Sequence, residues 1–440
     1  MLISSNCLRR GGRRGGCACP ISLPKSSTFI STMLLFSHSS GPLTALRTHI
    51  RFLILTVTLL CLGALVANAL AFNFAIICIQ RDHAEWVNTT IQGVDSSSAS
   101  YPPVSYTTSE GSWLFSAVAI GGLMGILYVP SSISRLGLRV VLTSAGALTS
   151  TVSLLLPLAT AHLPFWLLFL VRVTQGLALA YAMPSMLTVA QWWAPPAEHA
   201  AFLAILSCCY QIGIAVAMPV SGWLCDSSWR WPATFYVIGG CSAFIFTLFW
   251  LVYRDRPADC RLLSTRELVA IDCHSAGTGD YEAAKPHTRQ QTTIPYRRIL
   301  TDPVVWATVA GFVTFTIAYQ PFAQFGPIFM NEVLHFKVSS SGVRVAIPAL
   351  FMIASKLFVA SPWVQNSSWL RRYPKAYVIW LPAATQALNV VWYSLLALMP
   401  VMNVGGEAMR WLAQLVICAI LVGNGVGFVG LAKNVQIVSL

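Results

Sequence analysis

Acidic residues are scarce in this sequence. Its 440 residues carry 15 Asp and Glu against 28 Lys and Arg, a formal net charge of +13, and the first acid is Asp82. Only 10% of residues are charged and 56% are hydrophobic. So little charge cannot cover the surface of a soluble globule of this length. H-E-x-x-H, G-x-S-x-G and G-x-x-x-x-G-K-[ST] patterns are missing as well. Their absence removes the zinc-peptidase, serine-hydrolase and ATPase readings, so neither an enzyme nor a cofactor is expected. Of the 12 cysteines, Cys61, Cys208, Cys209, Cys241 and Cys418 fall inside apolar runs. Cys17 and Cys19 have no second pair or His cluster at zinc-ligand spacing, and no metal site is expected.

What the sequence does have is long apolar runs. Ten of them lie near 52–79, 113–131, 140–161, 164–189, 200–224, 232–252, 303–325, 344–363, 376–400 and 410–431. About 20 apolar residues span a bilayer as a helix, and lipid forces backbone groups to pair within the segment. The runs do not alternate with period two, which excludes a β-barrel. The expected fold class is an all-α integral membrane bundle with the lipid bilayer as its partner. The excess positive charge sits in the connecting segments, as the positive-inside rule requires, so nucleic acid is not an expected partner.

Three cationic connections fall on the same side as the N-terminus: Arg135 and Arg139; Arg254 through Arg298; and Arg371, Arg372 and Lys375. That side is expected to be cytoplasmic. Residues 1–50 are basic, Ser-containing and acid-free. This composition suits an organelle transit peptide or a disordered cytosolic tail, and the tail is the reading adopted. The polar stretch 253–302 separates six spans (residues 51–252) from four (303–440). Two six-helix halves around a central loop are the plan of major facilitator transporters, and measured against it this chain is two spans short.

Local motifs point the same way. Arg172-Val-Thr-Gln-Gly-Leu-Ala-Leu-Ala-Tyr-Ala-Met-Pro184 is followed by Trp192-Trp-Ala-Pro-Pro-Ala-Glu-His199. Further on come Gln211-Ile-Gly, Pro219 to Cys225, Trp231-Pro-Ala-Thr-Phe-Tyr236, Thr301-Asp-Pro-Val-Val-Trp306 and Gly342 to Pro348. Together, in this order, they resemble the anion:cation symporter branch of the major facilitator superfamily, which includes sialin, the vesicular glutamate transporters and the type I sodium–phosphate transporters. Ala67 to Cys78 gives the chain the look of a divergent invertebrate member. The resemblance implies a transporter of small anions, coupled to sodium or protons, in the plasma membrane or a vesicular or lysosomal membrane.

Departures from the family pattern are informative. Ala71 stands where members commonly carry an arginine in the first helix, and Leu179 where several carry a second glutamate in the fourth. The Glu-or-Gln position there is Gln175, and Ser134 replaces a frequent Asp before Arg135-Leu-Gly-Leu-Arg139. These losses leave open a non-transporting or truncated relative with a structural or regulatory role.

Arg172 is the leading site candidate. A charge inside an apolar span faces a cavity or a partner, and a guanidinium fork suits carboxylate or phosphate. The alternative is an arginine packed against backbone carbonyls. Its removal is expected to abolish anion binding and leave the fold intact. Lys356, also inside a span without a nearby acid, divides evenly between substrate contact and structure. Gln175, Gln211 and Asn73 are candidate cavity-lining hydrogen-bond partners, and equally ordinary interhelical packing. Gly121, Gly122, Gly125, Gly176 and Gly213 are read as sites of close helix approach, and Tyr181, Tyr319 and Trp306 as core. With no carboxylate in any span, proton coupling through the fourth helix is not expected. The sequon at Asn88 lies in the loop after the first span and is expected to carry an N-glycan. The sequon at Asn366 falls on the cytoplasmic side and is expected to stay bare.

Overall fold

In lipid an apolar run has no partner for its backbone but itself, so each run closes into a helix. The computed structural model describes residues 50–91, 104–195, 198–260, 300–365, 367–368, 372, 379–399 and 406–438. Among them ten helical segments are long and apolar enough to cross a membrane. In chain order the helices are α1 (Ile50–Ile91), α2 (Thr108–Leu136), α3 (Leu138–His162), α4 (Phe165–Leu179) and α5 (Ala182–Trp193). Next come α6 (His199–Leu206), α7 (Cys209–Cys225), α8 (Arg230–Val252), α9 (Pro303–Ile328, prolonged by a π-turn at Phe329–Val333) and α10 (Val338–Ala360). The short α11 (Pro362–Gln365), α12 (Leu381–Leu398) and α13 (Glu407–Val438) complete the order. The fourth span is α4 with α5, and the fifth is α6 with α7. Six spans precede residue 261 and four follow residue 299.

Several ends differ from the sequence reading for identifiable reasons. The first helix runs on to Ile91, because Gln80–Ile91 contains neither Gly nor Pro to stop it. Asp82 and His83 are therefore helical and half-buried, and Asn88, expected in the loop after the first span, is an exposed residue of the same helix. Helix α2 begins early at a capping box: the Glu110 amide donates to Thr107 Oγ1 at 3.2 Å and the Thr107 amide to Glu110 Oε2 at 2.8 Å. The fourth span breaks at Ala180–Tyr181, four residues before Pro184, whose ring nitrogen cannot donate to the Ala180 carbonyl. Trp306, read as core, is 55% exposed on the apolar outside, where its indole donates to the Leu300 carbonyl at 2.7 Å. Cys17, Cys19, Asn366, Arg371, Lys375 and the cations from Arg261 to Arg298 lie outside the described residues.

Small residues set the closest approaches. A Cβ on Gly121 would fall 2.0 Å from the Val173 carbonyl oxygen, and one on Gly176 would fall 2.0 Å from that of Val118. Helices α2 and α4 therefore touch backbone to backbone through one glycine from each. Helices α7 and α10 meet similarly, with Gly342 against the Met218 carbonyl. Sequence motifs acquire structural roles at the helix ends. Glu198, from the Trp192–His199 motif, pairs with Arg51 at 3.1 Å and holds the start of α1. Arg139 donates to the Trp250 carbonyl at 2.6 Å, in the last turn of α8, while Asp255 accepts from the Arg139 amide at 2.9 Å, in the first turn of α3. Each helix end thus receives the charge its dipole favours.

The other end of the first half is stapled. Cys78 on α1 and Cys225 on α7 form a disulfide across a sequence separation of 147. Beside it Arg81 pairs with Asp226 at 2.6 Å and donates to the Cys225 carbonyl at 2.7 Å. Asp82 lies 3.5 Å from both Arg81 and Arg230. Burial pushes the Asp226 carboxyl up, but its bonds from Arg81 and Ser339 and the Arg81 charge outweigh that and hold it below the usual range. Its stabilising share is present above its unfolded value and is lost only as pH falls through the lowered one. The Arg81–Asp226 pair therefore stays ionised through neutral and mildly acidic conditions.

Asp255→Ala should lower stability by about 1 kcal/mol through the lost cap, with Asp255→Asn recovering most of it. Thermal unfolding of the purified chain in detergent checks this, and equal midpoints for native protein and Asp255→Ala would contradict it.

Candidate functional site

Burying a guanidinium without an acid obliges the protein to surround it with neutral acceptors. Arg172 on α4 is fully buried, and among the described residues it has no acidic partner. Its Nη1 donates to Gln175 Oε1 at 2.5 Å and to the Ala69 carbonyl at 3.1 Å. Nη2 donates to Asn73 Oδ1 at 3.3 Å, and Nε to the Leu114 carbonyl at 3.5 Å. The guanidinium lies over the Phe72 ring, 4.7 Å from its centroid. The three-residue spacing of Arg172 and Gln175 puts both on one face of α4. Helix α1 supplies Ala69, Phe72 and Asn73, and α2 supplies Leu114. The reading of Arg172 as packed against backbone carbonyls is thus part of its geometry, and the terminal nitrogens are additionally filled by amide oxygens.

The amides lead outward. Gln175 Nε2 donates to Ser153 Oγ on α3 at 3.2 Å. Asn73 Nδ2 donates to the Gln324 side chain on α9, and approaches the Gln324 carbonyl at 3.5 Å. A continuous polar chain therefore runs from α3 through α4 and α1 into α9, joining the first six spans to the last four.

Gln211 and Lys356 are absent from this cluster and form one of their own. Lys356 on α10 is buried, and its ammonium donates to Gln211 Oε1 at 3.0 Å, the Ser207 carbonyl at 3.2 Å and Ser207 Oγ at 3.4 Å. Three donors meet three acceptors. The nitrogen also lies 4.2 Å from the centroid of the Phe428 ring. Ser207 sits at the interruption between α6 and α7, and Tyr319 of α9 is hydrogen-bonded to Gln211. This second cluster also crosses from the first six spans to the last four. The five candidates thus divide three and two.

Sequence reading missed Gln324, Ser153, Ser207 and the disulfide. Gln324 had a usable signal, an uncharged amide inside an apolar span in Gln320-Pro-Phe-Ala-Gln324. Ala71 is buried where the resembling family has arginine, and Leu179 is half-buried among apolar side chains. Contrary to the expectation that no span holds a carboxylate, the longer helices bring Asp82, Glu85, Glu110 and Glu332 into the first, second and seventh spans, although no ion pair among the described residues links an acid to Arg172 or Lys356.

The profile of the Major Facilitator Superfamily matches residues 57–439. The chain belongs to that superfamily. It is a family of transporters and not of enzymes. Among curated relatives it is 26% identical over 253 residues to "Uncharacterized transporter slc-17.3" of Caenorhabditis elegans, covering 57% of this chain and 46% of that one. It is 27% identical over 209 residues to human "Sodium-dependent phosphate transport protein 1" (47% and 42%) and 27% identical over 218 residues to human "Sialin" (49% and 42%). The chain spans a little under half the length of these relatives. The anion-symporter resemblance read from the motifs is therefore supported at the level of family. In fold it matches a bacterial homologue of the lysosomal transporter Spinster in an inward-facing, occupied conformation. That match has 15% identity, TM-score 0.54 and coverage of 89% of this chain and 78% of the other. The partially occluded inward-open xylose transporter XylE from E. coli gives 14% identity, TM-score 0.53 and 87% coverage of each chain.

The geometry revises the expectation that Arg172 is dispensable for folding. Arg172→Leu leaves Asn73 Oδ1 and Gln175 Oε1 without a donor, at about 1–3 kcal/mol for each group stranded. A fall in the unfolding midpoint, larger than for Arg172→Lys, is the expected result, and an unchanged midpoint would refute the bonding pattern.

Proposed function

We propose that the protein is a secondary transporter of small organic or inorganic anions that works by alternating access, with Arg172 as the anchor of the anion. The observation that carries this reading is the state of the guanidinium. Both terminal nitrogens of the fork are met by amide oxygens, which occupy the two positions that the oxygens of a carboxylate or phosphate would take. An anion offers charge where the amides offer only dipoles, so it is the stronger occupant. Asn73 and Gln175 line this site, and Gln211 and Lys356 form a second cationic centre that also crosses between the halves. Relatives named for sodium-dependent phosphate transport and vesicular glutamate transport support anionic cargo.

The coupling ion follows from the same chemistry. A proton-coupling centre beside an arginine needs a carboxylate whose affinity for protons the neighbouring charge can move. Gln175 is an amide and Leu179 is aliphatic, so the centre in α4 carries no such group. Anion uptake should follow membrane potential and depend little on pH. Lys356 is the remaining ionisable group close to the path.

Topology is part of the reading. Disulfides persist in oxidising compartments. The Cys78–Cys225 bond supports an extracellular or lumenal location for the outer ends of α1 and α7, and hence a cytoplasmic N-terminus. Asn88 is exposed at the same end.

Uptake of labelled phosphate and glutamate into proteoliposomes, per amount of folded protein, tests the function. Arg172→Lys should cut uptake at least tenfold, because a point charge lacks the fork. At fixed voltage, uptake should be the same with the pH gradient imposed, reversed or collapsed. A flux that follows the pH gradient in both the native chain and Lys356→Met would refute the coupling argument. Glycosidase treatment of the expressed chain should shift its mobility, and Asn88→Gln should abolish the shift; a shift that needs Asn366 instead would invert the topology.

A further inference from the structure

An amide side chain has one accepting end and one donating end. Arg172 has only donors, so Asn73 must turn Oδ1 toward it, and Nδ2 is thereby committed to Gln324. The orientation of one amide is fixed at both ends, on the first half of the molecule by a guanidinium and on the second by a glutamine. Gln175 has the same bivalence, but its far partner is Ser153, inside the first half. Asn73 alone among the groups on the fork reaches across.

We propose that Asn73 couples occupancy of the Arg172 site to the contact between α1 and α9, by surrendering Gln324 when an anion takes its place on the guanidinium. This rests on Arg172 being the anion anchor. An anion that claims Nη2 displaces Asn73 Oδ1 and faces the asparagine's carbonyl dipole with like polarity. The side chain relieves this by rotating, which turns Nδ2 toward the anion, where it donates. Oδ1 then faces the Gln324 side-chain oxygen and backbone carbonyl, both acceptors, so the present contact between the halves is lost and is regained only if Gln324 turns its own amide. The empty protein therefore favours the joined arrangement of α1 and α9, and the occupied protein releases it. No covalent step or proton transfer is involved. The anion's apparent affinity carries the cost of breaking the Asn73–Gln324 bond, because the competent state is reached only after that bond opens.

The test uses Gln324, which does not touch Arg172 and so can alter anion binding only through Asn73. The full chain, purified in detergent, is titrated with inorganic phosphate, L-glutamate and glucuronate, and the midpoint of the anion-induced rise in unfolding temperature is read for each variant. Asn73→Leu removes both the competitor for the fork and the donor that the anion would gain, so it is the background on which Gln324 is read. Gln324→Leu should lower the midpoint several-fold in the native background, and Asn73→Leu/Gln324→Leu should match Asn73→Leu within twofold in midpoint. Asn73→Asp, a charged competitor, should raise it at least tenfold. A Gln324→Leu midpoint within twofold of native, with Arg172→Ala unresponsive, overturns the coupling and leaves the anchor standing. If Asn73→Leu fails to fold, the Gln324→Leu midpoint decides alone. A native chain that responds to none of the three anions, or an Arg172→Ala chain that responds as native does, overturns the anchor and the coupling with it.

Discussion

A guanidinium held in the apolar interior of a helical bundle must be given acceptors by the bundle itself, and at Arg172 this requirement organises the first half of the molecule. The acceptors come from three helices: carbonyls of α1 and α2, and amides of α1 and α4. They converge only if α2 and α4 lie close, and the opposed glycines Gly121 and Gly176 allow that approach. The Phe72 ring faces the guanidinium plane and contributes the negative face of its quadrupole. Glycine spacing, helix contact and polar site are thus one constraint seen at three scales.

The same requirement acts on Lys356, with a different solution because the group differs. An ammonium is a compact point with three donors, and it takes a helix interruption, a hydroxyl and an amide as acceptors. Both clusters cross between the halves, and both touch α9, through Gln324 in one and Tyr319 in the other. The two residues are five apart on a single helix. The Arg172 cluster and the Lys356 cluster therefore share α9 as a common neighbour.

Span number, span position and the helical class of the fold were legible because lipid leaves an apolar run so few alternatives. Helix ends were less so. The first span was cut at the last apolar residue, whereas helices continue until something stops them, and nothing between Gln80 and Ile91 does. The five candidates form one set in the sequence reading; Arg172, Gln175 and Asn73 meet in the structure, two of them on one helix face and the third from α1. Gln211 was placed with them and belongs instead with Lys356, a matter of which face of α7 turns toward α10, and residue type alone does not encode it. The disulfide joins residues 147 apart, beyond any local pattern. One signal did exist: Cys78 lies near the outer end of the first span and Cys225 closes the fifth. Odd-numbered spans run in the same direction, so both cysteines arrive at the same membrane face.

Charge is segregated along the bundle in a way that decides how such a site can switch. Among the described residues Arg51, Arg81 and Arg230 pair with Glu198, Asp226 and Asp82, and Arg139 meets the Trp250 carbonyl, all away from Arg172 and Lys356. The interior holds two cations and a set of amides and hydroxyls. A carboxylate next to an arginine has two states that differ in protonation, and solution pH sets their balance. An amide has no second protonation state in this range. Its alternatives are orientations, which exchange donor for acceptor at a fixed place. With Gln175 an amide and Leu179 aliphatic, the alternatives open to the polar groups on the Arg172 fork are therefore orientations of Asn73 and Gln175. Under the proposed anchoring, a competitor for the fork would act on those orientations rather than on a protonation state, and the other end of Asn73 meets Gln324 of α9.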